Sequence, residues 1–406
     1  MGGGLLQLVA YGAQDVYLTG NPQITFWKVS YRRYTNFSME AIAQDFNGTA
    51  QLGGRVTCQI SRNGDLIHKM YLEVTGNGTA IANNTCRAAA FAMINYVEVE
   101  IGGQRIDRHY GDWMFIWNKL TLPFGKFGGL SALATTGGTL AASGRTTVPL
   151  EFWFCRNPGL ALPLIALQYH EVKVNIQFEN QAKISAADAG PTAYQIGSAT
   201  LWVDYIFLDT DERRRMAQNP HEYLIDQLQF TGEEALTGAA NVSNASIRLN
   251  FNHPVKELVW VLQLADATNT ALGPARFDTF VSMRDTANCN LQLNGQDRFS
   301  KRNPDYFSIV QPLQCHSNVP TGTGFITSGA QDVTSSNINV YSFALRPEEH
   351  QPSGTCNFSR IDSATLNFQY RGDGNPDQRV TRARVYAVNY NVLRIMSGMG
   401  GLAYSN

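Results

Sequence analysis

The sequence predicts an all-β protein of two tandem antiparallel β-sandwiches, and two observations lead to this prediction. Apolar and polar residues alternate with a period of two in many short segments, of which Val172–Phe178 and Leu366–Tyr370 are the clearest. Such segments are half-buried strands, with one face on a core and the other exposed. The second observation is an internal repeat in which each copy takes up about half of the chain, so the two halves are expected to share one fold.

Strand-like segments recur along the whole chain, between connections rich in Gly, Asn and Pro. In the first half they lie at 24–31, 36–42, 52–61, 66–75, 97–101, 146–155, 172–178 and 199–209. In the second half they lie at 223–231, 247–251, 256–265, 277–283, 338–346, 366–370 and 381–394. Many short strands with such connections are typical of antiparallel sandwiches.

Helical signals are few. The bulky run Asp112–Leu120 predicts one short buried helix. A second is expected to open at Asn303, a suitable N-cap, with Pro304 at its first position. Two long segments of small and polar residues, 125–145 and 314–337, are expected to be loops.

The repeat consists of two features that occur in the same order in both halves. Ile101–Arg105 ends a strand before the first predicted helix, and Leu293–Arg298 does so before the second. The matched glutamines, at positions 104 and 296, lie 192 residues apart. The strand ends at positions 205 and 390 also match, 185 residues apart. Similar offsets for two features favour a duplicated domain over chance similarity.

The predicted division follows from this repeat and from a polar run that starts at Asp211 and is expected to be helical. It comprises an N-terminal base segment, a first sandwich, a linker, a second sandwich and a C-terminal segment. Their bounds are 1–23, 24–210, 211–222, 223–396 and 397–406.

Composition argues against several classes of function. Charged residues make up only 16 % of the 406 residues, below the common value of about a quarter, and the formal net charge is −1. A protein that wraps nucleic acid would carry a basic face or tail, so no direct nucleic-acid binding is expected. We find no run of about 18 apolar residues for a membrane span and no signal-peptide pattern, so we expect synthesis in a cytosol-like compartment.

No catalytic, cofactor-binding or metal-binding residues are predicted. The six cysteines are widely spaced and form no close pair, as a zinc site would need, so reduced and mostly buried thiols are expected. His170-Glu171 and His221-Glu222 begin like zinc-protease helices but lack the second histidine. Asp373–Asp377 begins like a calcium loop but lacks the glycine and the closing glutamate.

Seven Asn-x-Ser/Thr sequons occur, most of which composition alone explains. Four lie in loop-like sequence and are candidate glycosylation sites by a non-secretory route: Asn77, Asn83, Asn241 and Asn244.

One alternative is a carbohydrate-binding or glycan-cleaving β-sandwich. Trp153, Trp202 and Trp260 could form a sugar platform, but each lies in a strand-like run, which favours the core. A glycosidase would also need two carboxylates across a cleft, and no motif marks such a pair.

Several long segments resemble the major capsid proteins of nucleocytoplasmic large DNA viruses, especially those of the algal-virus branch. The most extensive are Tyr11–Phe26 (YGAQDVYLTGNPQITF), Gln351–Arg360 (QPSGTCNFSR) and Asn391–Tyr404 (NVLRIMSGMGGLAY). Shorter ones are Tyr31–Phe37, Ile60–Leu66 and Pro158–Leu164. They run from one end of the chain to the other, so the resemblance covers the whole protein.

The resemblance implies a double jelly roll, that is, two eight-stranded antiparallel jelly-roll sandwiches with a few short helices in loops. It further implies homotrimers with a hexagonal outline that tile the icosahedral shell and contact neighbouring capsomers, minor capsid proteins and penton proteins. The expected location is the outer shell of the virion, assembled in the host cytoplasm, with an inner membrane nearby but not spanned. A minor capsid or penton protein is the remaining alternative, disfavoured by the full-length match and the duplication.

Overall fold

The computed structural model describes most of the chain. The described ranges are 2–77, 89–134, 145–180, 195–238, 242–264, 280–281, 283, 289–321, 337–371 and 380–404. They divide into two compact units, Met1–Phe37 and Ser38–Asn406. The first unit contains helices α1 (Gly3–Val9) and α2 (Val16–Thr19), neither of which has a buried residue.

The strands of the first half, as far as it is described, form two antiparallel sheets. They are β1 (Phe37–Gln44), β2 (Arg55–Gln59), β3 (Leu66–Asn77), β4 (Ile94–Ile101), β5 (Gln104–Tyr110), β6 (Arg145–Leu150), β7 (Leu162–Pro163), β8 (Val172–Phe178) and β9 (Gln195–Leu208). One sheet has the order β1-β9-β3-β6, with β7 added beside β3, and the other has the order β2-β8-β4-β5. We call this half the first sandwich.

The strands of the second half form two further sheets. They are β10 (His221–Ala235), β11 (Ser243–Arg248), β12 (Pro254–Leu264), β13 (Asn290–Leu293), β14 (Gln296–Asp297), β15 (Asn339–Ser342), β16 (Cys356–Asn357), β17 (Ala364–Tyr370), β18 (Val380–Met396) and β19 (Met399–Leu402). Their orders are β10-β18-β12-β15 and β11-β17-β13-β14, with β16 added beside β12 and β19 beside β18. We call this half the second sandwich.

The two sandwiches have the same topology. Each has two sheets with four principal strands, apart from the short added strands β7, β16 and β19. The principal strands correspond one to one in sheet order, β1 to β10, β9 to β18, β3 to β12 and β6 to β15 in one sheet. In the other sheet β2, β8, β4 and β5 correspond to β11, β17, β13 and β14. The predicted duplication and the predicted pair of eight-stranded sandwiches are therefore confirmed.

The matched glutamine segments are the same hairpin in both sandwiches. The turn between β4 and β5 places Gly102 and Gly103 at φ of 57° and 86°, and the turn between β13 and β14 places Asn294 and Gly295 at 50° and 78°. Two successive left-handed residues make a type I′ turn, which suits the twist of a two-residue hairpin. Asn and Gly tolerate this conformation best, which explains why these residues recur at both turns.

The remaining helices are short and lie between strands. They are α3 (Ala89–Ala92), α4 (Gly111–Thr121), α5 (Phe124–Ala134), α6 (Trp153–Arg156), α7 (Thr210–Gln218) and α8 (Gln311–Cys315). A π-helical segment, Tyr306–Val310, leads into α8. Helix α4 confirms the predicted buried helix, and the Asn303 side chain accepts a bond from the Asp305 amide at 3.2 Å, as its predicted N-cap role requires.

Three predictions of local structure are wrong. Residues 24–31 form no strand, and residues 153–155 belong to α6 rather than to the end of β6. The predicted loop 125–145 begins as helix α5, because Leu130 and Ala134 pack on the core and stabilise a glycine-rich sequence that has little helical tendency by itself.

Parts of several predicted segments lie outside the described residues. These are most of the predicted strand 277–283, residues 135–144 and 322–336 of the two predicted loops, and the loop that contains Asp373. Among the described helices, none combines the length and apolarity needed to cross a bilayer.

Candidate assembly interface

The two sandwiches are joined by a buried apolar interface. The hydrophobic core of the first sandwich continues without a break into residues of the second, among them Ile225, Val259, Tyr386 and Leu393. Each of these four side chains is fully buried. Burial on this scale fixes the two sandwiches against each other, since apolar side chains lose their stabilisation when a joint opens to water.

Helix α4 lies at the centre of this interface. Its sequence is apolar on nearly every side, and a helix of this kind is stable only when it is covered all round. Trp113 packs against Tyr386 of β18 at a ring-centroid distance of 5.2 Å. Tyr110, just before the helix, packs edge-to-face on Phe230 of β10 at 4.9 Å. The second sandwich therefore provides the cover that α4 requires.

Hydrogen bonds align the same two surfaces. The Leu228 amide of β10 donates to the Asp107 carboxylate of β5 at 3.1 Å. The Asn318 side chain donates to the Lys119 carbonyl, close to the end of α4, at 2.8 Å. Directional bonds from a backbone amide and a side-chain amide specify the register of the two surfaces, which apolar contact alone does not do.

A buried ion cluster lies beside α4. The ammonium of Lys256, fully buried on β12, is 2.8 Å from the carboxylate of Asp226 on β10. Arg156 of α6 reaches across from the first sandwich to within 3.6 Å of the same carboxylate, and its guanidinium lies over the Trp117 ring. One buried carboxylate therefore pairs with a cation from each sandwich.

A second charged contact crosses the interface at the start of α4. Arg384 of β18 forms ion pairs with Asp112 of α4 and with Glu233 of β10. Asp112 is buried, and it lies in the first turn of α4, where a negative charge also stabilises the helix.

A third group of buried charges lies within the second sandwich. The imidazole of His316, just after α8, is 3.1 Å from Glu257 of β12 and 2.9 Å from Glu348. Burial by itself would lower its pKa, but the two carboxylates outweigh that effect and raise the pKa of His316 to about 9. His316 is therefore a buried cation at neutral pH.

This arrangement predicts stability that falls on the alkaline side. Because the folded pKa lies above the unfolded value of about 6.5, the contribution of His316 is complete below pH 6.5 and is lost as the pH rises through about 9. We expect the free energy of unfolding to fall by roughly 1–3 kcal/mol between pH 6.5 and 9.5. Urea unfolding at a series of pH values measures this. His316→Gln should be less stable at pH 6.5 and flatter across the range, and parallel curves for the two proteins would contradict the assignment.

The described cysteines form no disulfide, and three of the five are buried. Cys58, Cys155 and Cys289 are buried, Cys315 and Cys356 are partly exposed, and all five are free, while Cys86 lies outside the described residues. Burial, aided by nearby Asp45, raises the pKa of Cys58 to about 12. Its reactive thiolate form is therefore rare at neutral pH.

The structure describes two of the four candidate glycosylation sites. Asn244 is exposed on β11, and Asn77 is the last residue of β3. Asn83 and Asn241 lie outside the described residues.

The three tryptophans considered for a sugar platform do not form one. Trp153 and Trp260 are buried in the cores, and Trp202 is half-buried on β9. Within the described ranges, no three His, Cys, Asp or Glu side chains come together as a metal site would require.

Sequence reasoning missed the residues that join the sandwiches. Asp107, Asp226, Lys256 and Arg384 are polar residues on strands, and a single sequence does not show which exposed strand face a second domain will cover. The one available signal was the apolar run of α4, which the sandwich containing it cannot cover alone.

Comparison with known proteins gives consistent matches over the whole chain. The family model described as "Major capsid protein N-terminus" matches residues 25–209. The model described as "Large eukaryotic DNA virus major capsid protein" matches residues 212–401. The chain is 54 % identical to the major capsid protein of Pyramimonas orientalis virus, with both proteins covered over their full length.

Solved structures agree with these matches. The chain resembles the capsid protein in a quasi-atomic model of the PBCV-1 virus capsid, with a TM-score of 0.79 and 39 % identity over 94 % of this chain and all of that one. The Faustovirus major capsid protein shares the fold, with a TM-score of 0.69 at 13 % identity over 95 % of this chain and 94 % of that one.

Proposed function

The chain belongs to the family of large eukaryotic DNA virus major capsid proteins, and from this membership we propose how it builds a capsid. It is a structural protein of the virion, with the double jelly-roll fold. We propose that its working unit is a homotrimer, in which six sandwiches close a ring with a hexagonal outline. These trimers tile the icosahedral shell.

The interface inside the chain is the observation that supports the trimer. It joins the two sandwiches, which have the same topology, through different surfaces. These are β5 and α4 on the first sandwich and β10 and β18 on the second. Heterologous contacts between like units close into rings when the rotation allows it. A ring of six such units needs three chains.

Size-exclusion chromatography with light scattering tests this proposal. At micromolar concentration we expect a single species of three times the chain mass of 44.8 kDa. The subunit interface should be of the obligate kind, about 2,000 Å² or more, so dilution should not yield folded monomer. A soluble, well-folded monomer would contradict the proposal.

We further propose that the trimers contact neighbouring trimers, minor capsid proteins and penton proteins, and that assembly takes place in the host cytoplasm. Direct contact with nucleic acid is not part of this proposal, since the net charge of −1 gives no electrostatic drive toward phosphate. An inner membrane lies nearby in this arrangement but is not spanned. We also propose the division into a base segment 1–23, a first sandwich 24–210, a linker 211–222, a second sandwich 223–396 and a C-terminal segment 397–406. The position of α7 between β9 and β10 supports the linker.

We propose that the protein acts by assembly and not by catalysis. Membership of a structural family supports this, and so do the buried charges, which pair with one another across or within sandwiches. Pure protein should give no saturable turnover of glycan or ester substrates. Turnover that a single carboxylate or serine substitution abolishes would contradict this.

Asn244 is the proposed glycosylation site with the clearest structural support, because its side chain is exposed. Asn77, Asn83 and Asn241 remain proposals on the sequon alone. Peptide mass spectrometry of protein from virions should find sugar mass on the peptide containing Asn244, and Asn244→Gln should remove that mass alone. An unmodified peptide would contradict the proposal.

A further inference from the structure

Strand β19 forms a hairpin with the end of β18, and we call residues 393–402 the terminal hairpin. Its turn places Ser397 and Gly398 at φ of 53° and 81°, so it is a third turn of the kind found between β4 and β5. Leu393 and Ile395 of this hairpin are buried in the core that the first sandwich shares with the second. The terminal hairpin therefore brings one end of the second sandwich onto the first.

The terminal hairpin is bonded to a loop of the first sandwich, residues 167–170. The Tyr169 amide of this loop donates to the Gly398 carbonyl at 3.0 Å. The Nδ1 atom of His170 lies 3.0 Å from the Gly400 carbonyl oxygen and 3.1 Å from the Gly400 amide nitrogen, so either tautomer of the ring can bond to this residue. Because these bonds reach backbone atoms, they fix the position of the hairpin as well as its burial.

Glycines allow this contact to be close. A Cβ atom at Gly400 would lie 2.7 Å from the Leu167 side chain, which leaves no room for any larger residue without movement. A Cβ atom at Gly102, in the turn between β4 and β5, would collide with the His170 ring. On its other side, the loop is held by the Arg62 guanidinium, which donates to three of its carbonyls. The loop is thus fixed in place on the first sandwich before the hairpin meets it.

The terminal hairpin and helix α4 attach the second sandwich to opposite ends of one strand. Strand β5 runs from Gln104 to Tyr110, and α4 follows directly. At the α4 end, Tyr110 packs on Phe230 of β10. At the other end, the Leu402 amide donates to the Gln104 side chain at 3.3 Å. These ends are about 20 Å apart at the rise of a strand. Two attachments at this separation resist rotation of one sandwich about the other, which a single attachment would permit.

We propose that the docked terminal hairpin sets the angle between the two sandwiches, and that a chain joins a trimer only when its hairpin is docked. This inference rests on the proposed trimer and assigns the part of the chain that controls its formation. In a ring of six sandwiches every second contact lies inside a chain, so an error in the internal angle recurs three times and the ring does not close. Strand β19 follows every other described strand, so docking comes after both sandwiches have been synthesised.

Substitutions in the first sandwich test this inference without altering the hairpin itself. Gly102→Asn should release the hairpin, because the new side chain displaces the His170 ring from Gly400. Asn is compatible with the turn, since Asn294 occupies the equivalent position of the other sandwich at φ of 50°. His170→Ala should release the hairpin by removing the ring. Gly103→Asn, in the same turn, is the matched control, because a Cβ atom there meets nothing closer than 3.9 Å.

Hydrogen exchange of the full-length protein measures docking directly. In both variants the amides of 398–402 should exchange about tenfold faster than in the wild-type protein, since hydrogen bonds to the loop are lost. Helix α4 should stay protected, which also shows that the chain is folded. Gly102→Asn should add little to His170→Ala, because both act through the same ring. Unchanged exchange in 398–402, an equal rise in the control, or an equal rise in α4 would overturn the inference.

Light scattering of the same samples measures the consequence for assembly. At micromolar concentration, where the wild-type protein is expected to be a trimer, both variants should lose most of the trimer and contain folded monomer with a protected α4. Gly103→Asn should remain a trimer. Variants that release the hairpin and still form trimers in full yield would overturn this inference and leave the proposed trimer intact. A monomeric wild-type protein would overturn the proposed trimer and, with it, the control of assembly by the hairpin.

Discussion

Asp226→Asn is expected to lower the free energy of unfolding by about 3–5 kcal/mol, because it leaves a buried lysine without its counter-charge. Lys256 is fully buried, 2.8 Å from this carboxylate, and Arg156 approaches it from the other sandwich. Lys256 stays desolvated after the substitution, since its side chain has no exposed surface. Urea unfolding at one fixed protein concentration measures the loss, as stability of an obligate oligomer depends on concentration.

An exposed ion pair in the same sandwich supplies the control. Glu349 lies 3.1 Å from Arg346, with both side chains more than half exposed. Glu349→Gln should change the free energy of unfolding by less than about 1 kcal/mol, because water already solvates both charges. Similar losses for the two variants would contradict the role assigned to the buried cluster.

Trp113→Ala is expected to cost about 3–5 kcal/mol, because it opens a cavity between the two sandwiches. Trp113 is fully buried on α4 and contacts Trp117 of its own helix and Tyr386 of the other sandwich. Close-packed interiors relax only in part around such a cavity, so the contacts of both partners are lost. Trp113→Phe should cost less, since it keeps an aromatic ring against Tyr386.

The location of this cavity provides a second measurement. Hydrogen exchange should rise in β18 near Tyr386 as well as in α4, since the two elements share the site. Leu133→Ala, at a residue of α5 that is about half exposed, is the matched control and should change stability by less than about 1 kcal/mol. Faster exchange in α4 alone would show that Trp113 supports its own sandwich and not the joint between the two.

The strands and the duplication were predictable because they follow from local rules. The pleat forces alternation with a period of two, as in β17, and a type I′ hairpin requires residues such as Asn294 and Gly295. The repeat could be recognised because both hairpins obey the same rule. Alternation alone was not sufficient at 24–31, where apolar residues recur but no strand forms.

The interface between the sandwiches could not be predicted from the sequence in the same way. Asp226 and Gln227 interrupt the apolar pattern of β10, and both are buried because another domain covers them. Helix α5 was missed for a related reason, since contacts of Leu130 with the core outweigh the low helical tendency of its glycines. In each case the deciding contact lies far away in sequence, where periodicity carries no information.

Single-particle electron microscopy of the purified full-length protein tests the proposed capsomer most directly. The account predicts particles with threefold symmetry and a roughly hexagonal outline, in which six sandwich densities surround the axis. Within each particle, the contact between chains should resemble the contact between the two sandwiches of one chain. Isolated two-lobed monomers, or rings with a number of sandwiches other than six, would contradict it.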